Sequence, residues 1–141
     1  MAALGLQDVQ KLVAANNLST NFSNEFITCL IWKECGFNPR QNATTSATGL
    51  MQVETGAISD VNKLPARAGK PFTYADMADN AKNIQCGTLY LDLRVKWAKG
   101  DITKGVNGFG TGTGYIDNIL TCEACMKKPT GGTNCLMMSH P

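Results

Sequence analysis

The amino-acid sequence predicts a mainly α-helical fold in one domain that spans residues 1–141. Apolar residues recur at intervals of three and four in several segments, which places them on one face of a helix. The alternation of apolar and polar residues that is typical of strands is nearly absent. A chain of 141 residues with 43% hydrophobic residues is long enough to bury one core.

Five segments carry the helical spacing, and each is predicted to be a helix. They are residues 6–16, 22–35, 55–61 and 80–97, and a last segment that begins at about residue 115. Lys127, Lys128 and Pro129 are expected to end this last helix. Ser19 or Thr20 is expected to cap the second helix, and Gly36 to end it. Thr113 is expected to cap the last one.

Two segments between these helices are predicted loops. Residues 38–48 are rich in Thr and Asn, and residues 105–114 are dense in glycine. The glycine run lacks the G-x-G-x-x-G spacing and follows no strand, so it does not predict a phosphate-binding loop. Thr73 and Asp76 predict a capped turn.

The charge balance excludes some classes of partner. The chain has 13 basic and 11 acidic residues, a net charge of +2, which is too little for the basic stripe of a nucleic-acid-binding protein. No apolar run is long enough to span a bilayer, so membrane insertion is not expected. The first eight residues have neither a basic region nor an apolar run, and no signal peptide is expected.

The six cysteines indicate disulfides and an oxidising destination. Cys29 and Cys35 would lie about 9 Å apart along one helix, too far to pair with each other. An alternative is a zinc site, because Cys122, Cys125, Cys135 and His140 have a usable spacing. Disulfides are preferred, because an even number of cysteines pairs without remainder. The sequence therefore predicts neither a metal nor another cofactor.

Glu34 is the candidate general acid. It lies in the last turn of the second predicted helix, next to the apolar residues Ile31, Trp32 and Phe37. Burial and the negative end of the helix dipole both disfavour a carboxylate, so its pKa is expected to rise. A glutamic acid that stays protonated is what cleavage of a glycosidic bond requires. The alternative is a solvated glutamate at a helix end.

Four segments in order resemble lytic transglycosylases and goose-type lysozymes. They are Glu34-Cys-Gly-Phe-Asn-Pro39, Gly49-Leu-Met-Gln-Val53, Asn83-Ile-x-x-Gly-x-x-Tyr-Leu91 and Gly105-Val-Asn-Gly108. Together they lie within residues 26–120, which leaves a cysteine-containing tail over residues 121–141. The resemblance implies a lysozyme-like α-helical domain, with a cleft for the alternating N-acetylglucosamine and N-acetylmuramic acid of peptidoglycan.

The resemblance also implies roles for individual residues. Glu34 matches the general acid of the family. Met51 and Gln52 match the segment that lines the cleft near the scissile sugar, and Asn107 matches an asparagine on the opposite wall. All three are therefore expected to bind substrate.

The sequence departs from the family pattern at three positions. Cys35 replaces the usual serine, Ser46 replaces a common glycine, and Val106 replaces a tyrosine that often lies in the cleft. Tyr115 or Phe109 is expected to compensate for that tyrosine, and Tyr115 is the preferred substrate-binding candidate.

Glu54 bears on the reaction type. It follows the Gly49–Val53 segment directly, where goose-type lysozymes have an aspartate and lytic transglycosylases usually have an uncharged residue. Because an inverting hydrolase needs a second carboxylate to activate water, Glu54 is the candidate base and hydrolysis of the β-1,4 bond is the preferred prediction. Lytic transglycosylation, with 1,6-anhydromuramic products, is the first alternative. A non-catalytic wall-binding or zinc module is the second.

Disulfides without an export signal leave two explanations: a native signal has been removed from this chain, or the protein leaves the cell by a route that needs no cleavable signal. The second explanation favours a particular biological setting. The chain is expected to be an antibacterial toxin, delivered to the periplasm of a rival bacterium by a contact-dependent (type VI) secretion system. A phage enzyme is the alternative. An effector of this kind implies a cognate immunity protein that blocks the cleft.

Overall fold

The computed structural model describes residues 2–139, and that part of the chain is built from helices. Two isolated antiparallel bridges, from Gln41 to Thr48 and from Thr48 to Val53, are the only β-type pairing in this range. The helices are α1 Leu6–Asn16, α2 Asn24–Cys35, α3 Thr55–Asn62, α4 Asn80–Trp97, α5 Ile102–Phe109 and α6 Tyr115–Met126, with 3-10 helices at Pro65–Arg67, Ala75–Ala78 and Thr133–Ser139. The mainly α-helical prediction is thus confirmed.

Helix α2 forms the centre of the core and packs against α1 and α6. Phe26, Leu30 and Ile31 are among its fully buried side chains. The helix begins at Ser23, whose hydroxyl accepts a hydrogen bond from the amide of Phe26. It ends at Gly36, whose positive φ of 60° reverses the chain, as predicted.

The predicted cap of α2 is wrong, because Ser19 and Thr20 have another partner. The Ser19 hydroxyl donates a 2.7 Å hydrogen bond to Asp92 on α4. The amide of Thr20 donates to the same carboxylate at 2.8 Å. These two residues therefore hold the loop before α2 against α4.

Helix α4 has the predicted bounds and packs against α1, α3 and α5. Asp79 caps it by accepting a hydrogen bond from the amide of Lys82. The predicted turn before it is also present, because the Asp76 carboxylate accepts a 2.8 Å hydrogen bond from the amide of Thr73.

The glycine-dense loop predicted over residues 105–114 is partly wrong, because residues up to Phe109 belong to α5. Gly105 permits a close helix crossing: a Cβ there would lie 2.8 Å from Cα of Val95 on α4. The glycine therefore serves packing rather than a turn. The predicted cap Thr113 is also wrong, since α6 begins after Gly114, which has φ 85° and no side chain to cap with.

Two disulfides attach α6 to its neighbours. Cys29 on α2 pairs with Cys122 on α6, with 6.0 Å between their Cα atoms. Cys125 pairs with Cys135 and so fixes the last 3-10 helix to α6. The disulfide prediction is confirmed for these four cysteines, and Cys29 does not pair with Cys35. The expectation that all six pair is wrong, because Cys35 and Cys86 are buried free thiols.

The alternative zinc site is contradicted. Cys122, Cys125 and Cys135 are all oxidised in disulfides and have no thiolate to offer a metal. The fourth candidate ligand, His140, lies outside the described residues. Residues 2–139 contain no other group of three side chains that is suited to hold a metal ion. In the same range no helix combines the length and the apolar character that crossing a membrane requires.

Candidate active site

An open cleft of about 620 Å³ lies between the end of α2, the segment that leads into α3, and the end of α5. Its lining combines charged and aromatic side chains with glycine backbone. The lining includes Lys33, Glu34, Arg40, Gln52, Glu54, Gly56, Tyr90, Gly108, Phe109 and Gly110. The cleft therefore brings together residues from four separated stretches of the chain.

Glu34 is held in the last turn of α2 by apolar packing around it. Cys35 and Phe37 are both 3% exposed. The ring of Trp32 packs edge-on against Phe37, with centroids 4.9 Å apart. The chain reverses sharply at this point, since Phe37 has a φ of 62°, which is uncommon for a bulky residue. This packing leaves the Glu34 carboxyl half-buried at the cleft wall.

The Glu34 carboxyl has a hydrogen-bond partner from the far end of the chain. The Tyr115 hydroxyl donates a 2.5 Å hydrogen bond to Oε2 of Glu34. Tyr115 is only 3% exposed, and burial together with the nearby Glu34 raises its own pKa well above 10. The phenol therefore keeps its proton and remains a donor.

Burial raises the pKa of Glu34 above the ordinary carboxyl value of 4.5. The Tyr115 hydrogen bond, Lys33 and Arg40 act in the opposite direction but do not cancel the effect of burial. This agrees with the pKa rise expected from the sequence. The arrangement favours a carboxyl that carries a proton and is oriented by a phenol.

Gly110, directly after α5, leaves the space in which the Tyr115 ring reaches Glu34. A Cβ on Gly110 would collide with the Tyr115 ring, so the ring occupies the space that this glycine leaves. Val106, at the position where the resembled family has tyrosine, is fully buried in the core. Tyr115 is 3% exposed and is not part of the cleft lining, so its expected contact with substrate is corrected to the hydrogen bond with Glu34. Phe109 lies in the cleft lining.

A buried asparagine fixes the segment that leads to Gln52. Asn83 is fully buried, and its Oδ1 accepts a 2.8 Å hydrogen bond from the amide of Met51. Its Nδ2 donates to the carbonyl oxygens of Thr48 at 2.8 Å and Met77 at 2.9 Å. Because all its hydrogen bonds go to backbone, Asn83 positions the chain before Gln52 and has no free group for a substrate.

The candidates Met51 and Gln52 have different surroundings. Met51 is fully buried and packs so closely on α4 that a Cβ on Gly87 would lie 2.5 Å from its sulfur. Its expected place on the cleft wall is therefore corrected to the core. Gln52 lines the cleft, and its backbone has a positive φ of 49°. Its Nε2 donates to the carbonyl oxygens of Arg40 at 2.8 Å and Gly49 at 2.9 Å.

The remaining candidates are Glu54 and Asn107. Glu54 is exposed at the start of α3 and lines the same cleft as Glu34. Asn107 is not part of the cleft lining. Its Oδ1 accepts a 2.9 Å hydrogen bond from the amide of Ile116, so it anchors the first turn of α6 beside Tyr115. Its expected contact with substrate stays a prediction.

Several residues of the cleft lining have no role predicted from the sequence, and three of them bear on substrate binding. Lys33 and Arg40 bring positive charge to the lining, and Tyr90 brings an aromatic ring. Tyr90 belongs to the Asn83–Leu91 segment that carries the resemblance, and this membership is the sequence signal that points to it as a cleft residue. Nothing in their local sequence marks the two cations as cleft residues.

Comparisons with known proteins agree with this fold. No curated protein matches the sequence. The 70 kDa soluble lytic transglycosylase SLT70 from Escherichia coli has a similar structure, with a TM-score of 0.60 and 18% identity over 93% of this chain. The complex of the 70-kDa soluble lytic transglycosylase with bulgecin A gives the same TM-score and identity over 92% of this chain. This chain spans 20% of the length of either structure.

The similarity in structure confirms the lysozyme-like fold that the resemblance implied. The model of the transglycosylase SLT domain matches residues 11–123, which is most of the chain. That range contains Glu34, Tyr115 and all the residues named in the cleft. The chain belongs to the transglycosylase SLT domain family.

Proposed function

We propose that this protein cleaves the β-1,4 glycosidic bond between N-acetylmuramic acid and N-acetylglucosamine in peptidoglycan, with Glu34 as the general acid. The observation that carries the proposal is the half-buried Glu34 carboxyl, whose pKa burial raises and which Tyr115 orients at 2.5 Å. Lys33 and Arg40 in the lining suit a strand that bears carboxylates.

The reaction that the site supports best is lytic transglycosylation. Glu34 gives its proton to the glycosidic oxygen, and the bond from that oxygen to C1 of the muramic acid breaks. The Glu34 carboxylate then takes the proton of the C6 hydroxyl, whose oxygen attacks C1 and closes a 1,6-anhydro ring. No water is consumed, and Glu34 is returned to its protonated form. Family membership and the raised pKa of the half-buried Glu34 carboxyl support this route.

Hydrolysis is the second candidate, because Glu54 lines the same cleft. In that reaction Glu54 would take a proton from a water molecule that attacks C1, and the product would be a reducing sugar. Glu54 is exposed at the start of α3 and lacks the apolar surroundings of Glu34. The transglycosylase SLT family match favours the first route over this one.

Mass analysis of the fragments released from purified peptidoglycan tests the reaction type. Lytic transglycosylation gives 1,6-anhydromuramic ends, which are lighter than reducing ends by one water. The variant Glu54→Gln is then expected to retain most of the activity. Reducing ends, together with a large loss of activity in Glu54→Gln, would replace the transglycosylase by the hydrolase.

We further propose that the protein acts outside the cytoplasm, as an antibacterial effector in the periplasm of a target bacterium whose immunity protein blocks the cleft. The two disulfides support an oxidising compartment. Expression in the periplasm of a Gram-negative host is expected to cause lysis, whereas expression in the cytoplasm is harmless. Equal toxicity in both compartments would contradict a wall target.

A further inference from the structure

A row of aromatic side chains continues from the cleft along α4 to the exposed surface. Phe109 and Tyr90 line the cleft, with ring centroids 6.0 Å apart. The Tyr90 ring lies 6.0 Å from that of Trp97, two helical turns further along the same face of α4. Trp97 is 52% exposed and lies beyond the cleft lining. The row therefore leads outwards from the cleft that contains Glu34.

Arg94 lies beside this row with an unused positive charge. Its guanidinium carbon is 5.9 Å from the centroid of the Trp97 ring. Its Nε is buried and has no hydrogen-bond partner within residues 2–139, and none of the ion pairs in that range includes it. A Cβ on the cleft residue Gly108 would collide with Nη2 of Arg94, so the guanidinium reaches the cleft edge.

We propose that Trp97 and Arg94 form a distal site that binds the glycan strand where it leaves the cleft. The inference rests on the function proposed above, because the occupant is the same peptidoglycan strand. One face of a pyranose ring is made of C–H groups, and an exposed indole offers an apolar surface to cover it.

The positive charge in the distal site matches the chemistry of the strand. Muramic acid carries a lactyl ether that ends in a carboxyl or in a peptide with carboxyl groups. A guanidinium binds carboxylate through two parallel hydrogen bonds. The Arg94 guanidinium carbon lies 5.9 Å from the centroid of the Trp97 ring, so a carboxylate on a sugar that covers the indole is close enough to pair with it. The distal site therefore selects strands that contain muramic acid.

The test measures binding in the Glu34→Gln background, so that the strand is not cleaved. Trp97→Ala is expected to weaken binding of long glycan strands about tenfold, which corresponds to about 1.4 kcal/mol of lost contact. Binding of a tetrasaccharide that fits within the cleft is expected to stay within about twofold. Trp97→Phe, which keeps an aromatic face, is expected to recover most of the affinity. Leu120→Ala, at a residue 43% exposed and outside the cleft lining, is the matched control.

A second arm tests the charge. Arg94→Gln is expected to weaken binding of muramic-acid-containing strands and to leave binding of N-acetylglucosamine oligomers of equal length unchanged. Equal affinity of Trp97→Ala and its parent for long strands, with both still binding the tetrasaccharide, would overturn the distal site alone. A parent that binds neither ligand would overturn the proposed function as well.

Discussion

The Tyr115 hydroxyl donates a 2.5 Å hydrogen bond to Oε2 of Glu34, and the two residues come from α6 and α2. The contact joins the ends of two helices that the disulfide between Cys29 and Cys122 also holds together. It orients a carboxyl whose pKa burial raises. The disulfide that links α2 to α6 and the hydrogen bond that orients the candidate acid thus join the same two helices.

The raised pKa of Glu34 predicts a pH-dependent cost in stability. The relevant pH range lies between the ordinary carboxyl pKa of 4.5 and the raised pKa of Glu34 in the folded protein. In that range the folded state binds more protons at Glu34 than the unfolded state does, so the free energy of unfolding falls as pH rises. Glu34→Gln removes this titration and keeps an acceptor for Tyr115. The variant is expected to melt higher than the parent at about pH 8, with a difference that shrinks towards about pH 4. Thermal melts across this range check it, and a constant difference would contradict the assigned pKa shift.

Removal of the phenol hydroxyl predicts a shift in the pH profile of activity. Tyr115→Phe deletes a hydrogen bond that lowers the pKa of Glu34, so that pKa is expected to rise further. The alkaline limb of activity then moves to higher pH, while kcat falls about tenfold because the carboxyl loses its orientation. Tyr90→Phe is the control, because Tyr90 lines the cleft without contributing to the pKa shift. An unmoved limb in Tyr115→Phe would show that the hydrogen bond does not act on the acid.

A single methyl group at Gly110 is expected to disrupt the site. The added Cβ collides with the Tyr115 ring and displaces the hydroxyl from Glu34. Activity is expected to fall about 10–100-fold, since a small misplacement of a catalytic group has effects of this size. Gly56→Ala is the matched control, because it adds the same methyl to the cleft where no atom lies within 4 Å. Equal rates for the two variants would contradict the packing argument.

The disulfides predict a redox-dependent stability. The bond between Cys29 and Cys122 closes a loop over a sequence separation of 93 residues, for which the loss of unfolded-state entropy is worth about 4–5 kcal/mol. A reductant is therefore expected to lower the melting temperature substantially. Alkylation of the denatured, unreduced protein is expected to label two thiols, Cys35 and Cys86. Labelling of all six cysteines would contradict both disulfides.

The sequence predicts those parts of the fold that depend on local signals. The bounds of α1 and α4 agree with the prediction, because apolar periodicity marks both helices. Helix α5 was missed, since Gly105 looks like a turn residue until Val95 is seen against it. A glycine required for close packing and a glycine required for a turn have the same local sequence.

In the candidate site, too, local sequence signals predict some features, whereas contacts between distant residues are not predicted. The sequence makes Glu34 a candidate because its apolar neighbours are adjacent in sequence and its segment carries the family resemblance. The contact with Tyr115 joins residues 81 positions apart, which no local pattern specifies. Resemblance assigns Met51 to the cleft wall, whereas its full burial places it in the core. Resemblance also assigns Asn107 to substrate, which stays a prediction beside the hydrogen bond that Asn107 accepts from Ile116. Resemblance thus located the segments of the cleft but not the direction of each side chain.

The rate at which Glu34→Gln releases fragments from labelled peptidoglycan tests the central claim most directly. The amide has no proton to give to the leaving oxygen, so the rate is expected to fall about 10²–10⁴-fold while the circular dichroism spectrum stays unchanged. Glu25→Gln, a substitution of the same kind on α2 at a residue outside the cleft lining, is expected to keep the parent rate. A Glu34→Gln rate within a factor of a few of the parent would contradict Glu34 as the general acid.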